Sequence, residues 1–131
     1  MPGIKRFSEW IQLKEKLHNI PHGPPRVSEG DLWWVSFGEN IGREINGKSW
    51  QFTRPAIVLK KLTRNFYLVA PSTTKSKTGS WYYKIDHEGV AMHFCLHQIR
   101  TLDHRRLFSK LGQASDEDFE KIKRAFWKLY G

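Results

Sequence analysis

Apolar residues recur along this chain in two rhythms, a helical one near its ends and a strand-like one between them. Phe7, Trp10, Ile11, Lys14 and Leu17 trace one helical face, with Ser8 and Glu9 near its start. The run His18-Asn19-Ile20-Pro21-His22-Gly23-Pro24-Pro25 then stops the helix, because prolines and a glycine cannot continue it. Leu32-Trp33-Trp34-Val35-Ser36-Phe37 reads as a strand entered through Glu29-Gly30-Asp31. Gly38 through Ser49 is a polar loop in which Asn46-Gly47 signals a turn. Strands follow over Trp50 to Lys60 and Phe66 to Ala70, joined by Leu62-Thr63-Arg64-Asn65. Beyond the polar loop Lys75 to Ser80, Trp81 to Ile85 and Val90 to Cys95 read as strands, and Gln98 to Thr101 as a short extended piece. Asp103 is placed to cap a helical turn over His104 to Leu107. Ser115 with Asp118 forms a variant capping box before a helix whose Phe119, Ile122, Phe126 and Leu129 make an apolar stripe. No repeat or low-complexity segment interrupts this order. The pattern predicts a mainly β fold with helices: a small, curled, SH3-like β-barrel carrying N-terminal and C-terminal helices. Residues 1–28 form the helix and its Pro-rich linker, and residues 29–131 form the body.

Composition narrows the partners. The chain has 131 residues, enough for one core, and a formal net charge of +9. With a pI near 9.9 it favours a polyanion through counterion release. Membrane surfaces are polyanionic too, yet no apolar run approaches the roughly 18 residues needed to span a bilayer. The N-terminal Met1-Pro2-Gly3-Ile4-Lys5-Arg6 leads into a charged amphipathic segment instead of a signal-peptide core, and Cys95 is the single cysteine. Both point to the cytoplasm.

Two polar clusters stand out against this background. Arg54 opens the apolar run Pro55-Ala56-Ile57-Val58-Leu59, and Thr73 follows Leu68-Val69-Ala70-Pro71-Ser72. If the two strands are neighbours, a permanent cation and a hydroxyl donor converge on one end of the sheet and can cradle a phosphate. The bland readings are that Arg54 pairs with Asp31 or Glu44, that Thr73 caps a turn, and that Glu44 is a solvated loop carboxylate. Lys60, Lys61, Arg64, Lys75 and Lys77 can line an RNA groove, with Thr74 beside them. Trp50, Phe52, Trp81, Tyr82 and Tyr83 can stack unpaired bases, although alternate strand residues must face the core. Trp127 and the last helix's stripe are expected to pack on the barrel. The six histidines (18, 22, 87, 93, 97 and 104) show no Cys/His cluster of zinc spacing, so no metal and no cofactor is expected. Cys95, inside an apolar strand, reads as buried and inert.

Five ordered segments resemble the MazF/PemK toxins, ribonucleases of bacterial toxin–antitoxin systems. They are Gly30-Asp31-Leu32-Trp33-Trp34-Val35, Gly42-Arg43-Glu44, Arg54-Pro55-Ala56-Ile57-Val58-Leu59, Ala70-Pro71-Ser72-Thr73-Thr74-Lys75-Ser76-Lys77, and Leu96-His97-Gln98-Ile99-Arg100-Thr101-Leu102-Asp103. Gly112 and the last helix follow in the family's order, so the resemblance runs from Glu29 to about Tyr130. The first helix and a longer loop between Glu44 and Arg54 are additions to the minimal family, as in longer PemK-like members.

The resemblance implies a homodimer that cleaves single-stranded RNA, mRNA included, without metal, leaving 2′,3′-cyclic phosphate and 5′-hydroxyl ends. It implies Arg54 and Thr73 as the catalytic pair, Gln98 among the RNA contacts, and a small antitoxin whose acidic or apolar tail fills the RNA groove. DNA contact would come through the toxin–antitoxin complex. Arg54, a guanidinium that stays protonated across the ordinary pH range, is a poor base and suits charge stabilisation, so Glu44 is the better proton acceptor on chemical grounds. The alternative is a non-catalytic member of the fold that binds nucleic acid or inhibits a protein such as DNA gyrase.

Overall fold

The computed structural model describes residues 5–19, 25–41, 44–48 and 52–131. The proline-rich stop at 20–24, the Gly42-Arg43 part of the Gly-x-Glu motif and Trp50 therefore lie outside the described residues. Among those described, the order is α1 (Phe7–Asn19), β1 (Asp31–Ser36), β2 (Thr53–Thr63), β3 (Phe66–Thr73), β4 (Tyr82–His87), β5 (Val90–Cys95), β6 (Arg100–Asp103), a 3₁₀ turn (His104–Arg106), β7 (Leu107–Gln113) and α2 (Asp116–Tyr130). No described helix is long and apolar enough to cross a membrane.

The fold is mainly β, as its pattern predicts. One seven-stranded sheet runs β4-β5-β3-β2-β1-β7, with β6 paired to β3. All pairings are antiparallel. Strand β3 is the hub: β2 lies along one edge, and the other edge takes β6 beside Phe66–Val69 and then β5 beside Ser72 and Thr73. Register shifts in β1–β7 and β2–β3 add local twist and curl the sheet. Among the described residues it does not close into a full barrel by strand pairing. Instead the ends of the path approach through side chains: His87 of β4 lies so near Gly112 of β7 that a Cβ there would stand 2.7 Å from Nε2.

Both faces of the central strands are apolar, because each packs against something. Trp33, Val35, Ala56, Val58, Tyr67, Val69, Leu102 and Leu107 meet inside the curl. The alternate residues Leu32, Ile57, Leu59 and Ala70 face outward onto Ile85, Met92 and Phe94 of the β4–β5 arm and Ile122 of α2. Helix α2 starts where Ser115 Oγ accepts the Asp118 N–H at 3.1 Å, so Ser115 caps the helix as read. Its Tyr130 hydroxyl donates to Leu96 O at 2.6 Å and ties the helix end to the residue just after β5. Burying Ile122 completely stabilises this docking by about 1.5–3 kcal/mol.

Several expectations need correcting. Trp127 is 66% exposed and does not pack on the sheet, since it sits off the stripe led by Ile122. Helix α1 forms as predicted, but of its apolar face only Trp10 is buried, while Ile11 stays exposed. Asn46-Gly47 makes no hairpin turn. Gly47 passes so close to the Phe52 carbonyl that a Cβ would come within 1.5 Å of its oxygen, which is why glycine stands there. Strand β7 has no counterpart in the sequence reading. Leu107 is its one buried residue, so the alternation that marks a strand is missing and pairing with β1 supplies the order.

Candidate active site

Arg54 is the second residue of β2 and Thr73 the last of β3. These strands run antiparallel with Ala56 opposite Pro71 and Ile57 opposite Ala70, so the same register carried two residues on sets Arg54 against Thr73. The Ser72 hydroxyl, donating to Pro55 O at 2.9 Å, spans the strands next to them. Arg54 and Thr73 both line a cleft of about 480 Å³ with Trp34, Lys48, Thr74 and Phe108.

The Arg54 guanidinium is oriented by carbonyls. Nε donates to Asn46 O, and Nη1 donates to Ser72 O at 3.5 Å. Carbonyl dipoles aim the fork without cancelling its charge, and among the described residues Arg54 makes no ion pair. Asp31, one candidate partner, is fully buried and committed elsewhere. It accepts from Ser28 N at 2.9 Å and Gln113 Nε2 at 3.3 Å, and lies 3.6 Å from Lys110 Nζ. Burial pushes the Arg54 pKa below its ordinary value, against a smaller opposing effect of Cys95. The cation therefore releases a proton more readily than a solvated arginine would. Thr73 does shape a turn, since its Oγ1 accepts the Lys75 N–H at 3.2 Å. That bond uses an oxygen lone pair and leaves the hydroxyl proton free to be given to an anion.

A second cleft of about 250 Å³ is faced by the same pair together with Lys75, Lys77, Tyr82, His97 and Gln98. Two lysines beside the Arg54–Thr73 pair, with Tyr82 and His97 rings 5.1 Å apart, suit a polyanion carrying flat bases. Glu44 lines a third cleft, about 570 Å³, with Gln98 and Arg100. There its Oε1 accepts the Ile41 N–H at 2.9 Å, and its charge acts on Arg100, whose pKa burial lowers. Ile45, His97 and Gln98 belong to both of these clefts, so they adjoin. Gln98 Oε1 accepts the Ile45 N–H at 3.2 Å and fixes that shared wall.

The other proposed RNA contacts scatter. Lys60, Lys61 and Arg64 sit at the far end of β2 and the turn after it, away from Arg54, and do not line its clefts. Lys60 pairs with Glu29 at 3.5 Å. Phe52 cannot stack a base: it is 2% exposed, covered by Trp10 at 5.5 Å between ring centroids and by the Arg6 guanidinium at 4.2 Å. Tyr83 leans on the outer core, while Trp81, 47% exposed, touches His97 and Tyr130. Cys95 is buried, and burial raises its pKa, as expected of an inert thiol. Among the described residues no three His, Cys, Asp or Glu side chains gather where they could hold a metal ion.

Trp34, Phe108 and Asn46 were not read as site residues. Trp34 stands inside an apolar run, yet it is exposed, because a strand that already sends Leu32 and Trp33 to opposite faces can leave a further residue beyond the reach of α2. Asn46 acts through its backbone carbonyl, and no side-chain pattern announces that.

Comparison with solved structures places the fold. MazF (Form-I) from Deinococcus radiodurans matches with a TM-score of 0.68 and 24% identity, over 84% of this chain and 99% of that one. MazE–MazF (Form-II) from the same organism matches at 0.62 and 22% identity, over 84% and 98%. An endoribonuclease from Mycobacterial species matches at 0.63 and 14% identity, over 82% and 94%. At such identities these likenesses speak for the fold. Residues 28–130, which hold all seven strands and α2, match the family model described as PemK-like, MazF-like toxin of type II toxin–antitoxin system, and the chain belongs to that family.

Proposed function

We propose that this toxin-family protein is an endoribonuclease that cleaves single-stranded RNA by attack of a 2′-hydroxyl on the adjacent phosphorus. The observation that carries the reading is the meeting of an unneutralised, carbonyl-oriented Arg54 with the Thr73 hydroxyl on one cleft. The 2′-oxygen forms a bond to phosphorus, the bond to the 5′-oxygen breaks, and a 2′,3′-cyclic phosphate and a 5′-hydroxyl result. Charge builds on the non-bridging oxygens of the pentacoordinate centre, where a planar fork of N–H donors and one O–H donor stabilise it. Burial of Arg54, by lowering its pKa, also suits it to donate a proton to the departing 5′-oxygen. Glu44 is the proposed acceptor of the 2′-proton, across the wall of Ile45, His97 and Gln98 that joins its cleft to the pair.

Lys75, Lys77 and Tyr82 are the proposed path for flanking nucleotides. Replacing both lysines by alanine is expected to weaken RNA binding and reduce the slope of log K against log salt by roughly 0.7 per lost phosphate contact. Cleavage at saturating RNA should change little, because neither ammonium is needed at the reacting phosphorus. Titration of a short RNA at several salt concentrations measures this. The partner reading follows from charge and from the neighbours: a MazE–MazF complex is among the matching structures, and a +9 chain attracts an acidic antitoxin tail into the same clefts. A homodimer is proposed on the family's pattern.

The deciding experiment is end-mapping of RNA incubated with the purified protein in excess EDTA. Cleavage that persists, with 2′,3′-cyclic phosphate and 5′-hydroxyl ends, is expected, while DNA of the same sequence stays intact. Intact RNA would favour a non-catalytic binder, and activity lost on chelation but restored by Mg²⁺ would sink the metal-free route.

A further inference from the structure

Helix α1 precedes the residues that match the family, yet it grips both ends of the loop that holds Arg54. Trp10, 5% exposed, fills the space above Gly38 so closely that a Cβ there would come within 2.1 Å of its ring. Gly38 has φ +82°, a conformation open to glycine at little cost. The Trp10 ring also covers Phe52, whose φ of +56° an L side chain holds only when its surroundings impose it. The Phe52 carbonyl in turn accepts the N–H groups of Phe37 at 2.9 Å and Gly38 at 3.2 Å.

Arg6 completes the grip. Its backbone N–H donates to Glu39 Oε2 at 3.0 Å, and Nη2 donates to Glu39 Oε1 at 3.2 Å and to Gly47 O at 3.4 Å. Between Glu39 and Gly47 lies Asn46, whose side-chain oxygen accepts the Asn40 N–H at 2.6 Å and whose carbonyl receives Arg54 Nε.

We propose that α1, with Arg6 just ahead of it, is a positioning element for Arg54: Trp10 and Arg6 fix Gly38, Glu39, Gly47 and Phe52, and so set the Asn46 carbonyl that aims the guanidinium. Neither residue lines the Arg54–Thr73 cleft, so their effect on cleavage passes through Arg54. The idea deepens the endoribonuclease reading and rests on it for its kinetic consequence, but not for its structural one.

The test compares Trp10→Ala, Arg6→Ala, Trp10→Phe and, as a distant core control, Ile122→Val, all in the full chain. NMR of ¹⁵N-arginine-labelled protein reads exchange of the Arg54 Nε–H without any substrate. Single-turnover cleavage reads the chemical step at saturating RNA. Expected for Trp10→Ala is Nε–H exchange about tenfold faster, since the local opening that exposes it is easier. Cleavage should fall by about 10- to 100-fold with KM little changed, as a misplaced catalytic group implies. Arg6→Ala should shift both readouts the same way, Trp10→Phe should recover most of each, and Ile122→Val should move neither. Unchanged exchange in both alanine variants would overturn the proposal whatever the rate does. Faster exchange with an unchanged rate would overturn its link to cleavage. A wild-type protein that cuts no RNA would fail the endoribonuclease reading alone, because exchange still decides what α1 holds.

Discussion

Arg54→Ala is expected to reduce single-turnover RNA cleavage by more than about 10³-fold, beyond the 10²–10³ typical of losing one preorganised donor, because the fork supplies several donors and the charge. The fold should survive. The side chain is half-buried at a strand end, and its loss removes two hydrogen bonds, to Asn46 O and to Ser72 O, the second on a residue that lines the cleft. A stability loss of about 1–3 kcal/mol in urea unfolding is the expected size. Arg54→Lys should also be severely impaired. An ammonium keeps the charge but cannot hold Asn46 O and Ser72 O while presenting a planar face to two phosphate oxygens. An alanine variant that cuts at the wild-type rate would show Arg54 to be structural and the proposed site to be wrong.

Thr73→Val is expected to lose about 10²-fold in the same assay, since valine keeps the shape and deletes the donor to the phosphate. The substitution also removes the acceptor of the Lys75 N–H. That bond is local and the Lys75 backbone lies in an exposed loop, so the stability cost should be about 0.5–1.5 kcal/mol. Thr73→Ser separates the two roles by returning the hydroxyl without the methyl, and should recover most of the rate. If the valine variant loses stability while keeping its rate, Thr73 is a turn residue and nothing more.

Much of this architecture was legible from local pattern. The strand over Val90 to Cys95 matches its expected bounds, and the Ser115 cap and Ile122 stripe set α2. Each of these is a short-range statement about periodicity or capping. Legibility failed where neighbours override local signals. Pro71, Ser72 and Thr73 lie past the strand end expected at Ala70 but continue β3, because Pro71 still faces Ala56 of β2 and β5 pairs with Ser72 and Thr73. Phe52, an aromatic next to a basic site, has the residue type of a stacking platform, yet Trp10 and Arg6 cover it. Lys60, Lys61 and Arg64 belong to the same strand and turn as Arg54's strand end, yet a long strand carries them away from the cleft.

Taken alone, the chain determined that there would be a mainly β body, two flanking helices, an Arg54 and a Thr73 at strand ends, and a basic character suited to a polyanion. These follow from residue type and spacing, which local physics reads directly. Only the tertiary structure decided that β2 and β3 pair in the register that sets Arg54 against Thr73, and that the Asn46 carbonyl aims the guanidinium. It also decided that Trp10 of α1 closes over Gly38 and Phe52. The reason is that a register, a backbone acceptor and a ring filling the space over a glycine are properties of pairs distant in sequence. Such pairs are fixed when competing burials are settled together, and no window along the chain contains them.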